Sequence, residues 1–176
     1  MITLIGGRKL TSLLALLETV RHLDGAIAEM GVFQGGSLKA MADAVPGKTC
    51  FGFDTFTGHP AASWQEGDFH QPGEFGDTTY DDVLAAMPAN VVLKRGLFPS
   101  TAKKIDAQFC FAHVDFDLER STDDAIKWLM PRMVSGGLIV FDDYKWRNCE
   151  GVLRAIERAG LAVVESTVHQ CYWTAP

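Results

Sequence analysis

Three aspartates end two short apolar segments of the chain, and their positions point to cation chemistry. Asp115 ends the segment Phe111–Asp115, and Asp142 and Asp143 follow Leu138–Phe141. The carboxyl ends of parallel strands meet at one edge of an open α/β sheet, where ligands bind. Clustered carboxylates repel one another unless a cation lies among them, and oxygen ligands suit Mg²⁺. We therefore predict a magnesium site here; the alternative is that each aspartate caps a turn or helix.

A glycine-rich turn follows the first predicted strand and reads Glu-Met-Gly-Val-Phe-Gln-Gly-Gly-Ser from Glu29 to Ser37. Glycines at a strand-to-helix turn let a ligand approach the backbone and the helix N–H groups. A phosphate-binding P-loop is rejected because Ser37 stands where the lysine belongs. The dinucleotide-binding pattern Gly-x-Gly-x-x-Gly is rejected because Phe33 stands where its second glycine belongs. A turn that binds nothing stays open as an alternative.

Asp54 ends the second predicted strand, where a carboxylate can accept hydrogen bonds from ribose hydroxyls. This feature favours a nucleoside cofactor without choosing between S-adenosylmethionine and a nicotinamide nucleotide. A turn-forming aspartate is the alternative.

Short apolar segments alternate with helical patterns along the chain. The predicted strands are Ala26–Met30, Cys50–Asp54, Val91–Lys94, Phe111–Asp115, Leu138–Phe141, Leu161–Glu165 and His169–Trp173. The predicted helices are Leu10–Leu23, Gly35–Val45, Thr78–Met87, Phe98–Ile105, Ser121–Met130 and Glu150–Ala159. Only antiparallel strands can be joined by a turn as short as the last one. The pattern predicts an α/β fold: a seven-stranded, mostly parallel, doubly wound sheet with an antiparallel C-terminal strand.

Length, composition and charge exclude several classes of protein. The 176 residues predict a single domain, residues 1–176, in which 47% of the residues are apolar. The formal charge of −6 argues against a nucleic-acid partner, and no apolar run reaches the roughly 20 residues of a membrane helix. Four scattered cysteines, with no signal-peptide pattern, predict free thiols in a reducing cytoplasm.

The longest irregular segment, residues 55–77, contains several glycines and prolines together with Trp64, Phe69 and Phe75. Long loops inside a compact domain are usually functional, so we expect a lid over the site. His59 lies in this loop and is a candidate general base, because histidine titrates near neutral pH. A solvated loop histidine is the alternative.

Five segments in order resemble the macrocin and mycinamicin type of sugar O-methyltransferase. They are Glu29–Ser37, Phe53–Gly58, Gly96–Thr101, His113–Leu118 and Gly136–Tyr144. The resemblance implies a Rossmann-like class I methyltransferase fold, S-adenosylmethionine as methyl donor, and Mg²⁺ held by Asp115, Asp142 and Asp143. It also implies a set of cofactor-binding residues: Glu29, Gly31, Gly35, Ser37, Asp54 and Thr55.

The implied reaction is methyl transfer from the sulfonium to a hydroxyl of a small molecule, a sugar or another natural product. Asp115 or His59 would take the proton, since Leu118 stands where related catechol enzymes carry a lysine. Asp117 is expected to support the metal site or to cap the next helix. The family usually has an apolar residue at the position of His59, and more chain before the glycine turn than the leading helix of residues 1–25.

Two other functions stay open. A nicotinamide-dependent oxidoreductase would explain Gly31 and Asp54 but not the three aspartates. A non-catalytic cofactor-binding module is the second alternative. The expected partner is a hydroxylated small-molecule acceptor, and a homo-oligomer is compatible with the sequence.

Overall fold

Continuous apolar runs form the central strands, because a parallel strand covered by helices on both faces has no polar side. In the computed structural model, which describes residues 3–176, β1 (Ala26–Met30) and β4 (Phe109–Val114) are buried at every position. The remaining strands are β2 (Cys50–Asp54), β3 (Val91–Arg95), β5 (Met133–Asp142), β6 (Val164–Thr167) and β7 (Gln170–Thr174). The helices are α1 (Gly7–Val20), α2 (Gly36–Ala44), α3 (Tyr80–Ala86), α4 (Glu119–Leu129) and α5 (Glu150–Arg158).

The sheet has the order β3-β2-β1-β4-β5-β7-β6. Strands β1 to β5 pair in parallel, whereas β7 runs antiparallel to both β5 and β6. The predicted seven-stranded sheet with one reversed C-terminal strand is therefore confirmed. The strand order reverses between β1 and β4, and this crevice is where a doubly wound sheet binds its ligand.

Two apolar layers cover the sheet. Leu17 of α1 and Met41 of α2 belong to the layer on one face, and Ile126 of α4 and Ile156 of α5 belong to the other. Each of these side chains is almost fully buried and contributes about 1.5–3 kcal/mol to folding. No helix in residues 3–176 combines the length and the apolarity needed to cross a membrane, and the four cysteines are buried free thiols.

Several predicted boundaries differ from the structure. Helix α4 begins at Glu119, so Ser121 lies inside the helix and is not its N-cap. Strand β5 starts at Met133 rather than Leu138, because Gly136 and Gly137 interrupt the apolar pattern without interrupting the strand. Only a 3-10 turn, Ser100–Ala102, forms within the segment predicted as a short helix.

The turns after β1 and β4 touch at Gly31. This residue has a φ of +91°, and a Cβ on it would lie 1.9 Å from the backbone oxygen of Asp115. The Asp115 N–H also donates a hydrogen bond to the Met30 carbonyl at 2.8 Å. The glycine is therefore required for the two turns to meet at the switch in strand order.

The Gly31→Ala variant should be strongly destabilised, because the left-handed backbone alone costs about 1–3 kcal/mol and the clash adds to it. Chemical denaturation monitored by circular dichroism measures the loss. Gly47→Ala is the control, since a Cβ there meets nothing within 4 Å. Equal stabilities for the two variants would show that the close approach is not needed.

Candidate active site

A cleft of about 340 Å³ opens at the carboxyl edge of the sheet, beside the switch in strand order. This volume lies in the range of small-molecule sites. Most of the predicted site residues line it: Gly31, Ser37, Asp54, Thr55, His59, Asp115, Asp142 and Asp143. The predicted residues Glu29 and Gly35 are not among its lining residues.

Glu29 is buried and is not among the residues that line the cleft, so its contact with the cofactor stays a prediction. Its Oε1 is 2.9 Å from Nδ1 of His113, and both side chains are completely buried. Burial lowers the pKa of His113, but the hydrogen bond to Glu29 and nearby carboxylates outweigh this effect and raise the pKa to about 9. The two residues form a charged pair under the site.

Gly35 shapes the turn that leads into α2. It is the N-cap residue, with a φ of +80° in the left-handed region that glycine adopts at little cost. The following residues Gly36 and Ser37 line the cleft. Gly35 therefore presents the start of α2, with its free N–H groups, to a ligand.

Asp54 ties the glycine turn to the end of β2. Its Oδ2 accepts hydrogen bonds from the backbone N–H groups of Val32 and Phe33, both at 2.8 Å. Its Oδ1 accepts one from the Phe56 N–H at 2.7 Å. Since a carboxylate oxygen can accept two hydrogen bonds, Oδ1 keeps the capacity to bind a ribose hydroxyl.

Thr55 has its hydroxyl engaged within its own loop. Its Oγ1 donates to the Gly58 carbonyl at 2.7 Å and accepts from the Thr57 N–H at 3.2 Å. Thr55 lines the cleft, but its hydroxyl makes hydrogen bonds that stabilise the turn of residues 55–58. Its predicted role in cofactor binding stays a prediction.

Three aspartates converge in the cleft. One carboxylate oxygen each from Asp115, Asp117 and Asp143 lies within 4.8 Å of the others. Asp117 and Asp143 have φ values of 59° and 58°, a left-handed conformation that aspartate tolerates better than most residues. The left-handed backbone at these two positions costs conformational free energy and brings the side chains together.

The electrostatics of the cluster fit a divalent cation. Burial raises the pKa of Asp115 well above its usual range, and the nearby Asp142 raises it further. Burial and the contact with Asp143 do the same for Asp117. Buried carboxylates this close disfavour one another's charge, and three oxygen donors suit Mg²⁺.

Asp142 is the third residue of the predicted magnesium site. It contacts a lysine and is not part of the group formed by Asp115, Asp117 and Asp143. Nζ of Lys9 in α1 lies 2.7 Å from Oδ2 of Asp142 and 3.1 Å from Oδ1 of Asp143. Gln170 Nε2 approaches Oδ1 of Asp142 at 3.4 Å. The structure thus groups Asp115 and Asp143 with Asp117, which was expected only to support the site, and pairs Asp142 with Lys9.

Lys9 is a site residue that sequence reasoning did not identify. It precedes Asp142 by 133 residues, and no local motif connects them. Burial lowers the pKa of Lys9, but its contacts with Asp142 and Asp143 outweigh burial and raise it. The only signal in the sequence is a basic residue next to the apolar face of the first helix.

His59 lies at the edge of the acidic cluster, as its proposed role as base requires. Its Nε2 is 3.1 Å from Oδ2 of Asp117, within ion-pair distance but without hydrogen-bond geometry, and it has no other partner in the described residues. Burial lowers the pKa of His59, while Glu74, Asp54 and Asp68 partly oppose this shift. A lowered pKa favours the neutral imidazole, which can accept a proton on a ring nitrogen.

The long loop packs aromatic rings around His59. The Phe75 ring meets His59 edge-on at 5.2 Å and Phe33 of the glycine turn at 5.9 Å. The ring of Trp146, which follows Asp142 and Asp143 in the sequence, lies 6.2 Å from the ring of His70. Phe69 is 60% exposed and meets the His70 ring edge-on at 5.2 Å. The long loop therefore contacts the site through Phe75, whose ring packs against His59 and Phe33.

Comparisons with known proteins identify the family and the fold of the chain. The model of the macrocin O-methyltransferase (TylF) family matches residues 1–162. A Streptomyces olivaceus protein named 8-demethyl-8-(2,3-dimethoxy-alpha-L-rhamnosyl)-tetracenomycin-C 4'-O-methyltransferase is 27% identical over 172 residues. The match covers 84% of this chain and 64% of that protein, so the chain spans less than two thirds of this relative's length.

Two solved structures share the fold. The O-methyltransferase NovP has a TM-score of 0.85 with 23% identity, and the match covers 98% of this chain and 81% of NovP. The calicheamicin methyltransferase CalS11 has a TM-score of 0.77 with 22% identity, covering 94% and 78%. These similarities confirm the predicted class I methyltransferase fold, and the family model shows that this chain belongs to the macrocin O-methyltransferase family.

Proposed function

We propose that the chain catalyses methyl transfer from S-adenosylmethionine to a hydroxyl of a sugar or another natural product, with Mg²⁺ in the cleft. The observation that carries this proposal is the contact between the glycine turn and the acidic cluster. A Cβ on Gly31 would meet the backbone of Asp115, so a methyl donor on the turn and an acceptor on the aspartates would be neighbours. Family membership supports the same reaction class.

The glycine turn and Asp54 are the cofactor-binding elements in this proposal. The start of α2 at Gly36 and Ser37 offers backbone N–H groups to the carboxylate of the amino-acid end. Oδ1 of Asp54 accepts a hydrogen bond from a ribose hydroxyl. When bound, S-adenosylmethionine supplies an electrophilic methyl group on a sulfonium, and the nearby carboxylates favour that positive charge.

The metal-binding residues in this proposal are Asp115, Asp117 and Asp143. A bound Mg²⁺ lowers the pKa of a coordinated hydroxyl and orients it. Asp142 has a different role in this proposal from metal binding: it holds Lys9 beside Asp143, where the ammonium offsets the charge of both carboxylates. Lys9 therefore reduces the electrostatic repulsion between Asp143 and the other carboxylates of the cluster.

His59 is the proposed general base. Burial lowers its pKa, and its Nε2 lies next to Asp117 without a hydrogen bond in residues 3–176, so it can accept the proton of an acceptor hydroxyl that reaches it at the cluster. Asp117 then faces an imidazolium and stabilises it. Asp115, the other candidate base, is better placed as a metal-binding residue because its carboxylate lies inside the acidic cluster.

The proposal predicts cofactor-specific stabilisation. S-adenosylmethionine at 100 times its dissociation constant should stabilise the protein by about 2.7 kcal/mol, whereas NAD should not. Differential scanning fluorimetry with each nucleotide, with Mg²⁺ and with chelator, measures this. Stabilisation by NAD alone would favour the oxidoreductase alternative, and none with S-adenosylmethionine would contradict the proposal.

The His59→Gln variant should lose most of its turnover, because general-base catalysis contributes about 100- to 10,000-fold. Burial lowers the pKa of His59, so wild-type activity should fall only as the pH drops below 6.5, where the base becomes protonated. The variant should lose the contribution of His59 to this decline, while the contribution of Asp115 and Asp117, whose pKa values are also raised, stays. The measurement is kcat against pH, with a panel of hydroxylated sugars and phenols as acceptors.

His22→Gln is the control for this experiment, since His22 is exposed and lies outside the cleft. It should keep both the rate and the acid limb of wild type. An unchanged pH profile in His59→Gln would exclude His59 as the base.

The Lys9→Met variant should be destabilised without metal and rescued by Mg²⁺. Removing one partner of a buried ion pair costs about 3–5 kcal/mol, and less here because 19% of the Lys9 side chain is exposed. Lys39→Met is the control, since it removes an exposed pair with Asp43 worth about 0.3–0.5 kcal/mol. Thermal unfolding with chelator and with Mg²⁺ compares them, and equal losses in both variants would contradict the role of Lys9.

A further inference from the structure

A second group of metal-binding side chains lies beside the acidic cluster and contains a thiol. A ring nitrogen of His70, a carboxylate oxygen of Asp117 and Sγ of Cys149 all lie within 4.8 Å of one another. They come from three separate segments: the long loop, the turn before α4 and the residue that precedes α5. His70 is 9% exposed and Cys149 2% exposed, so the group is shielded from solvent.

The orientation of His70 is fixed by a carboxylate. Its Nδ1 lies 2.7 Å from Oε2 of Glu74, four residues along the same loop. This contact leaves Nε2 as the nitrogen that can bind a metal. A carboxylate on the far nitrogen of a histidine is the usual outer partner of a metal-binding imidazole.

His59 provides an independent indication of a ligand at this place. Its buried Nε2 has no hydrogen-bond partner in the described residues, although it lies 3.1 Å from Oδ2 of Asp117. The His59 and His70 rings are 5.6 Å apart. A buried ring nitrogen without a partner costs free energy, which coordination to a metal would recover.

The donor set differs in kind from the acidic cluster. Imidazole and thiolate are ligands for Zn²⁺ and similar borderline metals, whereas Mg²⁺ takes oxygen donors. Tetrahedral zinc with ligand bonds of about 2.0–2.3 Å holds its ligand atoms roughly 3.3–3.8 Å apart, so the three side chains, whose ligand atoms lie within 4.8 Å of one another, would draw together on binding.

We infer that His70, Asp117 and Cys149 form a Zn²⁺ site. His59 lies outside this group, but its Nε2 is 3.1 Å from Asp117, and a rotation of its side chain would supply the fourth ligand. Binding releases the thiol proton of Cys149 to solvent, and the thiolate, the carboxylate and the neutral imidazoles coordinate the ion. The ion joins the long loop to the sheet edge through His70 and Asp117.

Occupancy of this site would compete with methyl transfer. Zinc takes Asp117 and His59, which the proposed function needs for Mg²⁺ binding and for proton transfer. Inhibition by zinc therefore rests on the proposed function, whereas zinc binding itself does not. The two are separable because binding can be measured without cofactor or acceptor.

Cobalt titration of the metal-free full-length chain tests the site. Co²⁺ replaces Zn²⁺ and should give a thiolate-to-cobalt charge-transfer band, which Zn²⁺ removes and Mg²⁺ does not. The band should be absent in Cys149→Ala, and the Co²⁺ affinity should fall at least tenfold in His70→Asn. His70 lies in a loop, so this second variant tests the site even where Cys149→Ala folds poorly.

Cys171→Ala is the matched control, because Cys171 is also a buried free thiol but lies in β7 outside the group. It should keep the band, as should Asp115→Asn, which removes only an acidic-cluster residue. The inference is overturned if wild type shows no thiolate band, if Cys149→Ala keeps it, or if His70→Asn binds Co²⁺ as wild type does. An intact band in a protein that does not bind S-adenosylmethionine would overturn the proposed function alone.

Discussion

Mutual repulsion among buried carboxylates at one sheet edge is the constraint on which the rest of the structure depends. Asp115, Asp117, Asp142 and Asp143 follow adjacent strands, and burial raises the pKa of three of them, Asp115, Asp117 and Asp142. Such a group either keeps protons or, when ionised, is destabilised unless positive charge lies beside it. Elements far apart in the sequence supply that charge.

Two resident cations lie on either side of the group. Lys9 approaches from α1, and His113 lies in the sheet below, held by Glu29. Carboxylates outnumber these two cations at the sheet edge, so a divalent ion or a sulfonium bound there would meet uncompensated negative charge. This excess of negative charge connects the first helix and the buried Glu29–His113 pair to the proposed chemistry.

The parts of the fold that were predicted depend on local patterns. Continuous apolar runs located β1 and β2 with their observed bounds, and the short turn before β7 identified the reversed strand. The contacts of Lys9 and Glu29 could not be predicted, because they join residues 133 and 84 positions apart. The position of Asp117 within the acidic cluster depends on its left-handed backbone, which the residue types around it do not indicate.

The cleft separates charge binding from proton transfer, for which the sequence had left Asp115 and His59 as alternatives. The sheet edge holds the charge, since its side chains are fixed by strands and by Lys9. The proposed base, His59, comes instead from the long loop, held among Phe75 and His70. A base on a loop is in place only when that loop lies against the sheet, so proton transfer and exclusion of water depend on the same packing. Because His70 belongs to this packing as well, a metal that binds His70 would act on the loop and on catalysis at once.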